Sequence, residues 1–330
     1  MGRSANVRRI CAFLFVLWSA LLAAQARVLG EEWPSHPVRI IVPFPAGQGA
    51  DLIGRLVAEP LSIAFGQPFI VENRPGAGSL IGTAYAAKAS PDGYTLLIGG
   101  TSAMVVSPFL YKSPGYDTLR DFAPITGIAS LPMVYVVNTS LPFRSIQDLI
   151  RYAKDNPGKI KYGSSGNGSS HHLVQAMFAR GANIELTHIP YKGTVAGMTD
   201  LMGGHIDMLA DTLPAVAPFV KAGTVRALAI SSAKRSPYLP TVPTLGEQAV
   251  PGFDATAWSG LFAPKGTPDA ILERLSAETI KAFNTTEMRE RVNTLSLTVV
   301  ASSRQEFEAF VGSELQRWRM EVKASGAKLD

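Results

Sequence analysis

The chain has 330 residues, of which 46% are hydrophobic and 17% charged. That composition is too apolar for a disordered chain and points to one large or two medium globular domains. The formal charge of +5 and the single cysteine are shaped by the first residues, so neither is read as a binding footprint.

Arg3, Arg8 and Arg9 precede an apolar stretch, Cys11 to Ala24, that is too short to span a bilayer comfortably. Ala24-Gln25-Ala26 supplies small residues at the spacing of a cleavage site. Residues 1–26 therefore read as a signal peptide, with an uncleaved anchor as the alternative. Removing it takes away the only cysteine and three basic residues. The balance becomes 28 basic against 26 acidic, or +2. No disulfide and no Cys metal site is then expected in the mature chain, and no basic-aromatic stripe points to nucleic acid.

From residue 38 onward, short β-branched runs alternate with helical spacing. Strands are predicted at Val38–Val42, Phe69–Val71 and Thr95–Ile98, with helices over 51–65 and 79–89 between them. This order predicts a parallel sheet covered by helices. A second alternation starts at Val134–Val137. Ser145 and Asp148 mark a helix start over 145–155. Strands follow at 159–162, 185–189, 206–210 and 225–230, with helices at 172–180, 194–202 and 213–222. The proline-rich stretch 237–251 leads back to a strand at 256–262 holding Trp258, and helices over 268–283 and 304–324 need a partner to pack on. The expected architecture is α/β and two-lobed. Lobe 1 takes 27–130 and 252–330, lobe 2 takes 131–251, and two crossings near 126–137 and 245–257 form a hinge.

Ligands in open α/β sheets sit beyond the carboxyl ends of strands, and three such loops carry small polar residues. Pro43 to Asp51 follows a strand and opens a helix. It reads either as an anion cradle or as a plain strand–helix turn with Asp51 in the first helical turn. Gly163 to His172 holds four serines, three glycines and an asparagine, and reads as a donor-rich cradle or as a surface loop. Thr101 and Ser102 either offer hydroxyls or cap the segment that follows. Asp211 either caps a helix or faces the cleft. Gly76-Ala-Gly78 lacks dinucleotide-loop spacing and reads as a tight turn. The histidines show no metal spacing, so no metal or cofactor is expected. A serine near His172 leaves an exported α/β serine hydrolase as a competing class, although the Gly-x-Ser-x-Gly spacing is absent.

Taken together, Pro43-Phe-Pro-Ala-Gly47 with Asp51, Val71 to Gly78, Ser90 to Thr95, Asp121 to Ile125, Gly166-Asn-Gly-Ser169 with His172, Tyr191-Lys-Gly193, Arg226 to Ala229 and Pro240 to Thr244 resemble the Bug-type substrate-binding proteins of tripartite tricarboxylate transporters. The resemblance runs over essentially the whole mature chain. It implies a periplasmic-binding-protein (Venus-flytrap) fold of type II-like connectivity, a non-enzymatic receptor for a small carboxylate, and integral-membrane permease subunits as partners of a monomer. A sensor feeding a signalling receptor is the alternative. Carried over residue by residue, it places Phe44, Ala46 and Gly47 on one lobe and Ser165, Gly166, Gly168, Ser169 and His172 on the other. Gln48, Asp51, Thr101, Ser102 and Asp211 complete the expected site. Gln48 stands where the family usually has a second glycine. Either position 48 needs no positive φ, or the Gln48 amide projects into the pocket. Intact-mass analysis of a periplasmic extract is expected to give a chain starting near Arg27; a mass that includes residues 1–26 would overturn the cleavage reading.

Overall fold

A computed structural model describes residues 33–325; the expected signal peptide lies outside the described residues. The strands fall into two sheets. Strands β1 (Val38–Val42), β2 (Phe69–Asn73), β3 (Thr95–Gly100), β4 (Phe122–Leu131), β10 (Ala257–Pro264) and β11 (Thr298–Val299) form the first, in the order β11-β4-β10-β3-β1-β2. Strands β5 (Met133–Asn138), β6 (Lys161–Ser164), β7 (Thr187–Pro190), β8 (Met208–Thr212) and β9 (Val225–Ile230) form the second, in the order β7-β6-β8-β5-β9.

The β-α-β alternation gives parallel pairs where it is regular. β1 is parallel to β2 and β3, and β6 is parallel to β7 and β8. The expectation of parallel sheets fails at the passages between sheets. β10 runs antiparallel to β3 and β4, and β5 runs antiparallel to β8 and β9. One residue, Pro132, separates β4 from β5. A single extended segment thus leaves one sheet and enters the other, and β4 rather than a crossover helix presets the direction of β5.

β4 itself was not predicted as a strand, and residues 126–131 were read as part of a crossing. Nearly all its residues are buried, so it carries no alternation to read. It also contains Pro124 and Gly127, which normally argue against a central strand. Its pairing with β10 is irregular at two places, and Pro124 sits opposite Phe262 beside one of them. The return passage lies between Ile230 and Ala257. The helix Ile146–Asp155 starts with the full reciprocal capping box of Ser145 and Asp148. The helix Thr286–Thr294 was not anticipated.

The C-terminal helices Asp269–Phe283 and Arg304–Ser325 pack on β4, as their apolar faces required. Glu314 fixes the second of them. Its buried carboxylate accepts hydrogen bonds from the indole N–H of Trp258 at 2.9 Å and of Trp318 at 3.1 Å, and pairs with Arg317 at 2.7 Å. A buried charge with this many donors is compensated. The same helix reaches the second sheet's helix Ser170–Ala182 through the ion pair of Glu321 with Arg180.

The close approach of this helix to the sheet depends on Gly260. A Cβ there would lie 2.1 Å from the Phe307 ring and 2.9 Å from the Thr126 carbonyl oxygen. Gly260→Ala is expected to lower unfolding free energy by about 1–3 kcal/mol, as overpacking does, measured by denaturant titration. Wild-type stability would contradict this packing.

Candidate functional site

The carboxyl ends of β1, β2 and β3 and those of β6, β7 and β8 open onto one cleft of about 600 Å³. Its walls combine apolar side chains such as Phe44, Leu131 and Trp258 with backbone-rich loops from both sheets. Among the described lining residues Lys192 is the one Lys or Arg, and Asp211 the one acid.

In the first loop the positive φ falls on Gly47, at +82°, not on residue 48. Gln48 has φ −80° and ψ 164°, which any residue adopts, and its side chain lines the cleft. Its amide nitrogen lies 3.3 Å from where a Cβ on Gly193 would stand, so it reaches the opposite wall. Asp51 turns inward and does not line the cleft. It accepts the Gly47 N–H at 2.8 Å and the Asn73 amide at 3.0 Å, and pairs with Arg55 at 3.1 Å. Burial opposes its ionisation, but Arg55, Gly47 and Asn73 hold its carboxyl below the usual range. Asp51 therefore braces the loop, and Ala46 also stands off the lining. Phe44 and Gly47 do line the cleft.

Thr101 and Ser102 line the cleft from a π-helical segment, Thr101–Val106, a geometry often found at functional sites. The Thr101 hydroxyl accepts the Trp258 N–H at 3.0 Å. The Ser102 hydroxyl accepts the Ser170 N–H at 3.2 Å and meets the Ser170 hydroxyl at 3.0 Å, joining the two walls.

The Gly163–His172 loop differs most from expectation. Four of its N–H groups are already used within the loop. Gly166 donates to the Ser164 hydroxyl, Gly168 to His172 Nδ1, Ser169 to the Gly166 carbonyl and His172 to the Ser169 hydroxyl. Gly166, Gly168 and His172 do not line the cleft, while Ser165 and Ser169 do. The His172 ring stacks on His188 with centroids 4.0 Å apart, and burial holds its pKa below the ordinary value. The neighbouring His171 faces the cleft instead. Its Nδ1 meets the Ser165 hydroxyl at 2.8 Å and its Nε2 meets Asp211 at 2.9 Å. Burial works against the Asp211 carboxylate, but His171, Thr194 and the Thr212 N–H outweigh it and lower its pKa. Asp211 is thus a partner of His171 rather than a helix cap.

Three helices point their amino ends into this cleft without a side-chain cap. They are Gly49–Phe65 behind Gln48, Thr194–Met202 behind Gly193, and Leu213–Lys221 behind Thr212. First-turn N–H groups have no acceptor within their own helix. Gly49, Ala50, Thr194, Val195 and Ala215 line the cleft from these turns. Sequence reading missed the second and third of these ends, and it missed His171, Lys192 and Ala77–Ser79. The available signal was position: each follows a predicted strand at its carboxyl end.

Residues 53–327 match the family described as "Tripartite tricarboxylate transporter family receptor". The chain is 35% identical over 325 residues to Protein BugT of Bordetella pertussis, covering 98% of this chain and 99% of that one. It is also similar to R. palustris Rpa4515, solved with adipate, at 35% identity and TM-score 0.85, covering 90% of this chain and all of that one. MatC from Rhodopseudomonas palustris, solved with bound malate, gives 28% identity and TM-score 0.81 over 88% of this chain and 100% of that one.

His188 provides a pH test of the loop's packing. Burial, with the neighbouring His172 adding to it, pushes its pKa down to about 4. Its neutral form is favoured in the fold, so the unfolded chain binds more protons between that value and the ordinary histidine pKa of about 6.5. Stability is expected to fall as pH drops from about 6.5 towards 4, and His188→Gln is expected to flatten that slope in denaturant titrations. An unchanged slope in the variant would contradict the assignment.

Proposed function

The chain belongs to the family of tripartite tricarboxylate transporter receptors, and from that premise we propose that it captures a small carboxylate between its two sheets and presents it to membrane permease subunits. The family is one of solute-binding receptors, and its solved relatives include a periplasmic transporter protein, which carries an extracytoplasmic location with it. Among the described residues no helix is long and apolar enough to cross a membrane.

One observation supports the carboxylate most directly: uncapped amino ends of helices from both sheets meet in the cleft. Such ends carry partial positive charge and unsatisfied N–H donors, which together favour an anion; at Leu213–Lys221 the Pro132 carbonyl takes the Leu213 N–H and Pro214 has none, which leaves Ala215. Because Gly49 and Ala50 stand on one wall and Thr194, Val195 and Ala215 on the other, a bound carboxylate holds the walls together. In this reading lobe 1 (27–130 and 252–330) closes on lobe 2 (131–251) about the passages at Pro132 and 231–256, and Gln48 spans the mouth. The adipate and malate of the two relatives fit this class of ligand. We further propose that the receptor acts as a monomer, after removal of residues 1–26, and without turning its ligand over.

The Ser165–His171–Asp211 chain favours a second reading, an exported serine hydrolase. Against it, His171 presents Nδ1 to the serine and Nε2 to the acid, the reverse of the usual triad. A serine-directed probe that labels Ser165, with hydrolysis of an activated ester to its acid and alcohol, would support the hydrolase.

The receptor reading is tested by thermal shift and calorimetric titration against mono-, di- and tricarboxylates and aromatic acids. An acid at about a hundred times its Kd should stabilise the protein by roughly 2.7 kcal/mol. Affinity should change less than about threefold between low and high salt, because fixed short-range dipoles are weakly screened. Ala50→Asp sets a fixed carboxylate in the anion position and is expected to weaken binding by about a hundredfold or more while melting remains cooperative. Undiminished affinity in that variant would move the carboxylate elsewhere.

A further inference from the structure

The Ser165–His171–Asp211 chain has a direction, and the direction has a consequence for the ligand. The carboxylate of Asp211 is buried on β8. It accepts the Thr212 N–H at 2.6 Å, is reached by the Thr194 hydroxyl, and stands 2.9 Å from His171 Nε2. An ionised carboxylate only accepts, so Nε2 carries the hydrogen in this contact. In the neutral ring Nδ1 is then an acceptor. The Ser165 hydroxyl, 2.8 Å away, donates its only hydrogen to Nδ1. What the Ser165 hydroxyl has left to offer the cleft is its oxygen lone pairs.

A carboxylate placed against the Ser165 hydroxyl would set lone pairs against lone pairs. Its own donors lie elsewhere, at the helix ends that include Gly49 and Val195. We propose that the Ser165 oxygen is the specificity-determining acceptor of this receptor, and that its ligand bears a hydroxyl or amino donor close to the carboxylate. This rests on the carboxylate reading and narrows it. His171 and Asp211 act as positioning residues: they hold the serine hydrogen away from the cleft. The other titratable groups around His171 are His172 on its own helix, His188 behind that ring, and Lys192 on the cleft wall. None of them has a hydrogen-bond contact to Ser165.

The test is calorimetric titration of full-length mature protein with matched acids: succinate against malate and aspartate, and phenylacetate against mandelate and phenylglycine. The hydroxyl and amino arms separate the two donor sources. At least one substituted acid is expected to bind more tightly than its unsubstituted parent by about tenfold or more, as one well-made hydrogen bond gives. Ser165→Ala should bring that ratio to within about twofold of one, with thermal melting confirming the fold. Equal affinity across a set whose parent binds well would overturn this inference and leave carboxylate capture standing. No binding by any acid would remove carboxylate capture, and this inference with it.

Discussion

The site depends on the direction in which helices leave strands. A helix that follows a strand begins at the strand's carboxyl end and runs back along the sheet. Helices Gly49–Phe65, Thr194–Met202 and Leu213–Lys221 each follow a strand in this way, after β1, β7 and β8. Their amino ends are therefore delivered to the same side as the strand ends. Because Pro132 passes the chain directly from one sheet to the other, the two sets of ends face each other across one cleft. A receptor for an anion then needs few basic side chains, and Lys192 is the one Lys or Arg among the described residues that line this one.

Helix starts differ in how their first N–H groups are met. Side chains meet them at Ser145 with Asp148, at Thr244 with Glu247, and at Ser169, which itself lines the cleft. Three other starts on the cleft, behind Gln48, Gly193 and Thr212, have no side-chain cap. Uncapped ends cost stability, on the order of 1 kcal/mol each relative to a good cap. Leaving three of them at one place is consistent with a ligand completing them.

Much of this was legible in the sequence because local patterns and tertiary placement agree. The βαβ alternation set the ends of the predicted strands to within about two residues, and Ser145 and Asp148 announced their helix. The strand β4 was illegible because burial on both faces removes alternation and Pro124 mimics a break. The Gly163–His172 loop departs from expectation for a different reason. Serine, glycine and asparagine signal hydrogen-bonding capacity, but not whether the loop spends that capacity on itself, as Gly166, Gly168 and Ser169 do here. Likewise His171 and His172 are adjacent in sequence, and only the helix phase sends one ring to Asp211 and the other to His188. Gln48 resolves on backbone grounds, since the positive φ that a glycine would serve belongs to residue 47.

The central claim is that main-chain N–H groups at helix amino ends, rather than basic side chains, receive the carboxylate. Selective ¹⁵N-glycine labelling reads it directly. On saturation with the acid that stabilises the protein most, the Gly49 amide proton should move downfield as it gains a charged acceptor, while Gly223 and Gly266, outside the cleft lining, stay in place. A saturated complex in which the Gly49 amide is unmoved would contradict the account.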